Sequence, residues 1–157
     1  PITQVQQDAV YRVLGPTTHP VYENHRVLKF MEHLKAASDK GDDAKRAAGE
    51  CMFQAHDSYK NNCLLSVPEV DFIVDAVRTR GAQNGLYGAK ITGGGSGGTV
   101  AVFGEQAALE REIPGIVREY QRLTGLEADV FEGTSPGAIE FGVYRYAFGP
   151  QGWVRSI

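Results

Sequence analysis

Apolar side chains recur at helical spacing through the first half of the chain. Val27, Phe30, Met31 and Leu34 stand at i, i+3, i+4 and i+7; Ala48, Cys51, Met52, Ala55 and Tyr59 form a second stripe, and Val70, Ile73, Val74 and Val77 a third. Each stripe predicts an amphipathic helix with one face turned to a core. The third is the best punctuated. Ser66 and Glu69 have capping-box spacing, Pro68 falls in the first turn and Gly81 stands just past the end. The mixed-sign run from Asp39 to Arg46 reads as a solvated turn and helix start, where Asp42 or Asp43 can cap. A fourth face, Leu109, Ile113, Ile116, Val117 and Tyr120, ends at Gly125 and contains Pro114, which should start a new helix or kink the old one.

Between and after these helices the pattern changes to strands. They are expected at Ala89 to Thr92, Thr99 to Phe103, Ala128 to Phe131 and Ile139 to Tyr146, the last with Ile139, Phe141 and Val143 alternating. The order is three helices, two strands, one helix, two strands. A helical first half followed by ββαββ predicts an α+β fold, a small antiparallel sheet covered by helices on one face. Neither an internal repeat nor a dividing linker interrupts the chain, so residues 1–157 read as one domain.

Composition narrows the functional classes. A chain of 157 residues with 42% hydrophobic and 22% charged side chains fits one soluble globular domain large enough to bury a core. A net charge of −3 gives no basic footprint for nucleic acid or an anionic membrane. No apolar run approaches the roughly 18 residues of a membrane span, and no secretory signal is visible, so the cytoplasm is the expected compartment. Cys51 and Cys63 lack CxxC spacing and read as reduced core residues. Pro1 stands where a start Met would be, and the run to Leu14 carries no signal for the start of a domain; both point to a piece of a longer chain.

The candidate chemistry lies in Gly88-Ala89-Lys90-Ile91-Thr92-Gly93-Gly94-Gly95-Ser96-Gly97-Gly98, set between two of the expected strands. Gly93, Gly95 and Gly98 satisfy GxGxxG, but the dinucleotide fingerprint needs a helix after it and here a strand follows. Gly94, Ser96 and Gly98 satisfy GxSxG, yet His19, His25, His33 and His56 all precede Ser96, whereas a nucleophile elbow has its histidine later. No Gly-Lys-Ser/Thr closes a Walker loop. An anion nest survives, in which successive backbone N–H groups of a glycine turn bind phosphate, with Lys90 and Thr92 able to add a charge and a hydroxyl. The alternative is a flexible hairpin loop with no ligand. The histidines have no zinc spacing and no metal site is expected.

The segment GAKITGGGSGG resembles the third signature motif of the GHMP small-molecule kinases. The likeness extends to Leu14 through Asn24, to Met52-Phe53-Gln54-Ala55-His56-Asp57-Ser58-Tyr59 and to Glu132-Gly133-Thr134-Ser135-Pro136-Gly137-Ala138, all similar to the carboxy-terminal part of arabinokinase- and galactokinase-like sugar kinases. It covers nearly the whole chain, and that domain of the family has the α+β order read above.

The resemblance implies an ATP-dependent sugar kinase that transfers the γ-phosphoryl group, with Mg2+, to a monosaccharide hydroxyl, the anomeric one in the sugar-kinase branch. It assigns Thr92, Gly93, Gly94, Gly95, Ser96, Gly97 and Gly98 to the wall of the ATP-phosphate and substrate cleft, and suggests that Lys90, His56 and Ser58 line it. The family's serine-rich phosphate loop and catalytic aspartate belong to an amino-terminal domain, and no Gly-Leu-Ser-Ser-Ser occurs here. No catalytic base is therefore assigned in this chain, which is expected to be inactive alone and to pair with an amino-terminal kinase domain on the same or a separate polypeptide. The competing reading is a stand-alone module that holds a nucleotide or sugar phosphate without catalysis. A plain helix-packing role for His56, and a plain connection over Glu132 to Ala138, stand beside their cleft-lining readings.

Overall fold

Gly41 divides the first helical stretch into two. In the computed structural model, which describes residues 4–95, 98–133, 140, 142–150 and 152–156, α1 runs Leu14–Lys40 and α2 Asp42–Ser58, with Gly41 at φ 59° between them. Neither Asp42 nor Asp43 makes a capping bond; both lie in the first turn of α2, where carboxylates favour the positive end of the helix dipole. A π-helical turn, Tyr59–Cys63, prolongs α2. Helix α3 is Pro68–Arg80, with Pro68 at its start and Gly81 at φ 68° ending it. Its expected cap is not formed: Val67 holds the cap position, and the Ser66 hydroxyl donates instead to Asp71 Oδ1.

A 3-10 turn, Ala82–Asn84, leads to β1, Leu86–Thr92, which pairs antiparallel with β2, Thr99–Gly104. Helix α4, Gln106–Thr124, is one continuous helix through Pro114, so that proline starts no new helix, and Gly125 closes it at φ 72°. A second antiparallel pair follows, β3 Arg145–Gly149 and β4 Gly152–Ser156, with the rings of Phe148 and Trp153 edge to face at 5.4 Å.

The fold is therefore α+β in the expected order of three helices, two strands, one helix and two strands. The last two strands fall elsewhere. Residues 128–131 are irregular, and within 139–146 the positions Ile139 and Phe141 lie outside the described residues while a strand begins only at Arg145. Gly142 supplies a reason, since its φ of 74° cannot continue an extended run. Among the described residues the strands form two separate pairs.

The core gathers Val74 and Val77 of α3, Leu86 and Ala89 of β1, Phe53 of α2, and Ala108 and Ile116 of α4, with Leu109 and Ile113 packed against it. Both expected stripes on α3 and α4 thus face inward. Helix α2 runs along the edge of β1 that β2 leaves free, covering main-chain groups that would otherwise invite another strand. Contact there is so close that a Cβ on Gly49 would stand 1.9 Å from the Tyr87 carbonyl oxygen, and one on Gly88 2.6 Å from the Gly49 Cα. At the same end of the strand the Tyr87 hydroxyl lies 3.0 Å from Asp42 Oδ1 and 3.1 Å from Glu105 Oε1, tying the start of α2 to the start of α4. Burial and those two carboxylates push Tyr87 up to about 12.

Helix α1 departs from its expected role. It packs on α2 but has no buried residue, and Val27, Met31 and Leu34 remain partly open to solvent. Only Phe30 of that stripe is turned well inward, edge to face with Phe103 at 6.3 Å. Cys51 and Cys63 are free thiols of intermediate burial, not core residues. Among the described residues no helix is long and apolar enough to cross a membrane.

Candidate functional site

The pairing of Thr92 with Thr99 closes the β1–β2 hairpin, and the glycine run forms its connection. Ser96 and Gly97 lie outside the described residues. Gly93 at φ 75°, Gly95 at 82° and Gly98 at 121° occupy backbone conformations that side-chain-bearing residues rarely adopt. The turn is asymmetric. A Cβ on Gly95 would stand 2.6 Å from Tyr59 Cε1 and 2.7 Å from the Leu65 carbonyl oxygen, whereas one on Gly93, Gly94 or Gly98 would meet nothing within 4 Å among the described residues. Among the described residues the turn is seated on protein at Gly95 and unobstructed at Gly93, Gly94 and Gly98.

The seat is built by the end of α2. A π-helical turn carries one residue more per hydrogen-bonded ring than an α-helix, which redirects the side chains that follow. Here it presents Tyr59 to the loop, where the hydroxyl donates to the Gly93 carbonyl at 3.4 Å. Leu64 ends the turn in a left-handed conformation, φ 56°, as the one non-glycine residue with positive φ among those described. Leu65 is then brought against Gly95.

Beneath the hairpin lies His56, 2% exposed. Its Nδ1 accepts the Ile91 N–H at 3.4 Å, and its Nε2 is 3.2 Å from Asp71 Oδ1. Accepting at Nδ1 requires that nitrogen to be bare, so the ring is neutral with its proton on Nε2, donated to Asp71. Burial lowers the His56 pKa below the usual imidazole value and outweighs the opposing pull of Asp71 and Asp57. Asp71 also accepts from Ser66, and Lys60 Nζ lies 2.8 Å from its Oδ2. Burial alone would raise the Asp71 carboxyl, but the bonds from Lys60 and Ser66 outweigh it and hold the group below its ordinary value.

The three residues read as cleft-lining are thus placed apart from the open side of the turn. His56 supports the hairpin from below. Ser58 is buried, its Oγ accepting from Asn62 at 2.9 Å and lying 3.0 Å from His19 Nδ1, while the His19 ring meets the Tyr59 ring edge-on at 5.1 Å. Lys90 Nζ is 3.7 Å from Glu23 Oε1, and Lys90 borders a small apolar pocket of about 290 Å³ between α1, α2 and the hairpin. Its charge is answered by α1.

On the far side of β2 a larger cavity, about 1180 Å³, is walled by α3, β2, α4 and residues 126–133. Gly98 and Thr99 line it together with Glu132 and Gly133, so the start of the second glycine-bearing turn shares a cavity with the end of the first. Thr134 to Ala138 lie outside the described residues. Among the described residues no group of three or more His, Cys, Asp or Glu could hold a metal ion. Sequence reasoning missed Tyr59, Lys60, Ser66 and Asp71 as parts of this site. Ser66 and Asp71 are too far apart for one helical face, and nothing in the spacing of His56 and Asp71 marks them as partners.

A sequence profile described as GHMP kinases C terminal matches residues 42–121, from the first residue of α2 into the last turn of α4. The chain belongs to the GHMP kinase C-terminal family. The matched span contains His56, Tyr59, Asp71 and the entire glycine connection, so the site described above lies within the family's own sequence. The L-arabinokinase of Arabidopsis thaliana is 39% identical over 152 residues, covering 92% of this chain and 14% of that relative. A galactokinase of Glaesserella parasuis serovar 5 (strain SH0165) is 31% identical over 121 residues, 77% of this chain and 29% of the relative. A galactokinase of Thermotoga maritima is 32% identical over 122 residues, 78% of this chain and 32% of the relative. The chain therefore spans between 14% and 32% of the length of these relatives, which are sugar kinases by name.

Proposed function

We propose that the chain is the carboxy-terminal part of an ATP-dependent sugar kinase, and that its glycine turn forms one wall of the cleft that holds the ATP phosphates and the sugar. The observation that carries this reading is the asymmetric seating of the turn, backed by Tyr59 and Leu65 at Gly95 and, among the described residues, unobstructed at Gly93, Gly94 and Gly98. An unobstructed glycine backbone suits close approach by phosphate oxygens, to which main-chain N–H groups donate. Family membership and the named relatives support the same chemistry.

On this reading Thr92 to Gly98 hold the nucleotide phosphates, ATP supplies the γ-phosphoryl group with Mg2+ balancing its charge, and a monosaccharide hydroxyl, the anomeric one, receives it. The serine-rich phosphate loop and the catalytic aspartate come from an amino-terminal kinase domain, on the same or a separate polypeptide. Phosphoryl transfer relies on positioning and electrostatics more than on covalent chemistry, so half of the cleft is expected to be nearly inactive. The compartment is the cytoplasm, where ATP is abundant.

The test is ADP release by the complete polypeptide supplied with ATP, Mg2+ and a panel of galactose, arabinose, uronic acids and heptoses. Sugar-dependent ADP release supports the kinase. Nucleotide binding without turnover moves the reading to a stand-alone phosphate-binding module, and the absence of both overturns the assignment of the glycine turn.

A further inference from the structure

Among the described residues three contacts hold the glycine turn from the protein side, and all three lead back to one carboxylate. Ile91, the residue before Thr92, gives its N–H to His56, whose other nitrogen faces Asp71 Oδ1. Tyr59, which bonds the Gly93 carbonyl and lies against Gly95, is followed by Lys60, whose ammonium is 2.8 Å from Asp71 Oδ2. Leu65, which lies against Gly95 from the other direction, is followed by Ser66, whose hydroxyl donates to Asp71 Oδ1. The root of the turn, the π-helical segment and the link into α3 are thus gathered by one side chain in the first turn of α3.

We propose that Asp71 is a positioning residue for the glycine turn: through His56, Lys60 and Ser66 it fixes the turn in its phosphate-accepting shape. The inference rests on the kinase reading given above and assigns Asp71 no contact with substrate. A carboxylate suits the task because two oxygens with four lone-pair sites accept all three donors at once. An amide offers one oxygen and sets an N–H₂ group against a donor, leaving a polar group unpaired where the site is largely closed to water. The helical position is ordinary, so the tertiary role is carried by the partners alone.

The experiment is made on the complete polypeptide with Asp71→Asn, Ser66→Ala and Lys60→Met, and with Glu119→Gln, which breaks an exposed pair with Arg80, as control. Hydrogen exchange is followed on peptides covering Ile91 to Thr99 and on α4, alongside kcat and the KM for ATP. In Asp71→Asn the turn is expected to exchange about tenfold faster while α4 is unchanged. With the turn displaced, kcat is expected to fall about 100-fold with a smaller change in KM. Ser66→Ala and Lys60→Met should show the same selective pattern in reduced size, and they decide the matter if Asp71→Asn opens amides throughout the chain. Exchange and kcat that stay at control values in a folded Asp71→Asn, or in both milder variants, overturn the proposal. A wild type without sugar-dependent turnover defeats the kinase reading instead, and the exchange comparison then decides whether Asp71 sets the turn.

Discussion

Because Nδ1 of His56 accepts the Ile91 N–H, a second ring proton would set two donors face to face in a site 2% exposed, and the folded chain resists it. Asp71 and Asp57 favour the charged ring while Lys60 and Arg78 oppose it, and burial decides. The consequence has a definite sign. The unfolded chain takes up this proton near 6.5 and the folded chain does so lower, so the stability contributed by neutral His56 is complete above that value and is lost as pH falls below it. The urea midpoint should decline as the pH is lowered from about 7.5 to about 5.5, and His56→Gln should show a shallower decline; equal slopes would refute the assignment. Asp71 acts lower, because a depressed carboxylate contributes above its unfolded value of 3.8 and loses that contribution as acid titrates it. His56 was visible in the sequence as a polar group near the family motif. Its place under the hairpin was not, because the partner that fixes it stands on another helix across a π-helical turn that no spacing rule announces.

The two glycine contacts at Gly49 and Gly95 differ in kind and predict different losses. At Gly49 the backbone of α2 meets the backbone of β1, so neither side can yield. Gly49→Ala is expected to cost about 3 kcal/mol, a fall of roughly 10 °C in melting temperature for a chain of this size, measurable by calorimetry. At Gly95 the neighbours are a tyrosine ring and the Leu65 segment, and the positive φ adds strain. Gly95→Ala should therefore lower the melting temperature more than Gly93→Ala, which carries the strain alone, about 1 kcal/mol. The inward stripes of α3 and α4 were legible because their helices face one core. The β1–β2 hairpin was legible because β-branched and apolar residues flank a glycine run. The stripe on α1 misled, since periodicity marks an apolar face and not what covers it. The last two strands were read too early in the chain, at Ala128 to Phe131 and Ile139 to Tyr146. Gly142, at positive φ, interrupts the extended run, while the alternating aromatics Tyr144, Tyr146 and Phe148 and the Gly149-Pro150 dipeptide after them were the better signal.

On the proposed reading the arrangement is one wall of a site: a glycine turn supported from below by a polar network, seated on a tyrosine and, among the described residues, unobstructed at Gly93, Gly94 and Gly98. The chain spans 14% to 32% of the length of its named relatives, which agrees with the proposal of a cleft completed by residues outside it. Family and fold were readable because GAKITGGGSGG and its flanking helices are local features; the support beneath the turn is tertiary and appears only once the chain is folded. The most direct measurement is sugar-dependent ADP release by the complete polypeptide, wild type beside Gly95→Val, with folding of both checked by circular dichroism. A branched side chain at Gly95 must displace the turn from Tyr59 and Leu65, so a folded variant should lose about 100-fold or more in kcat. A folded Gly95→Val that turns over ATP and sugar at the wild-type rate would contradict a phosphate-binding role for this turn.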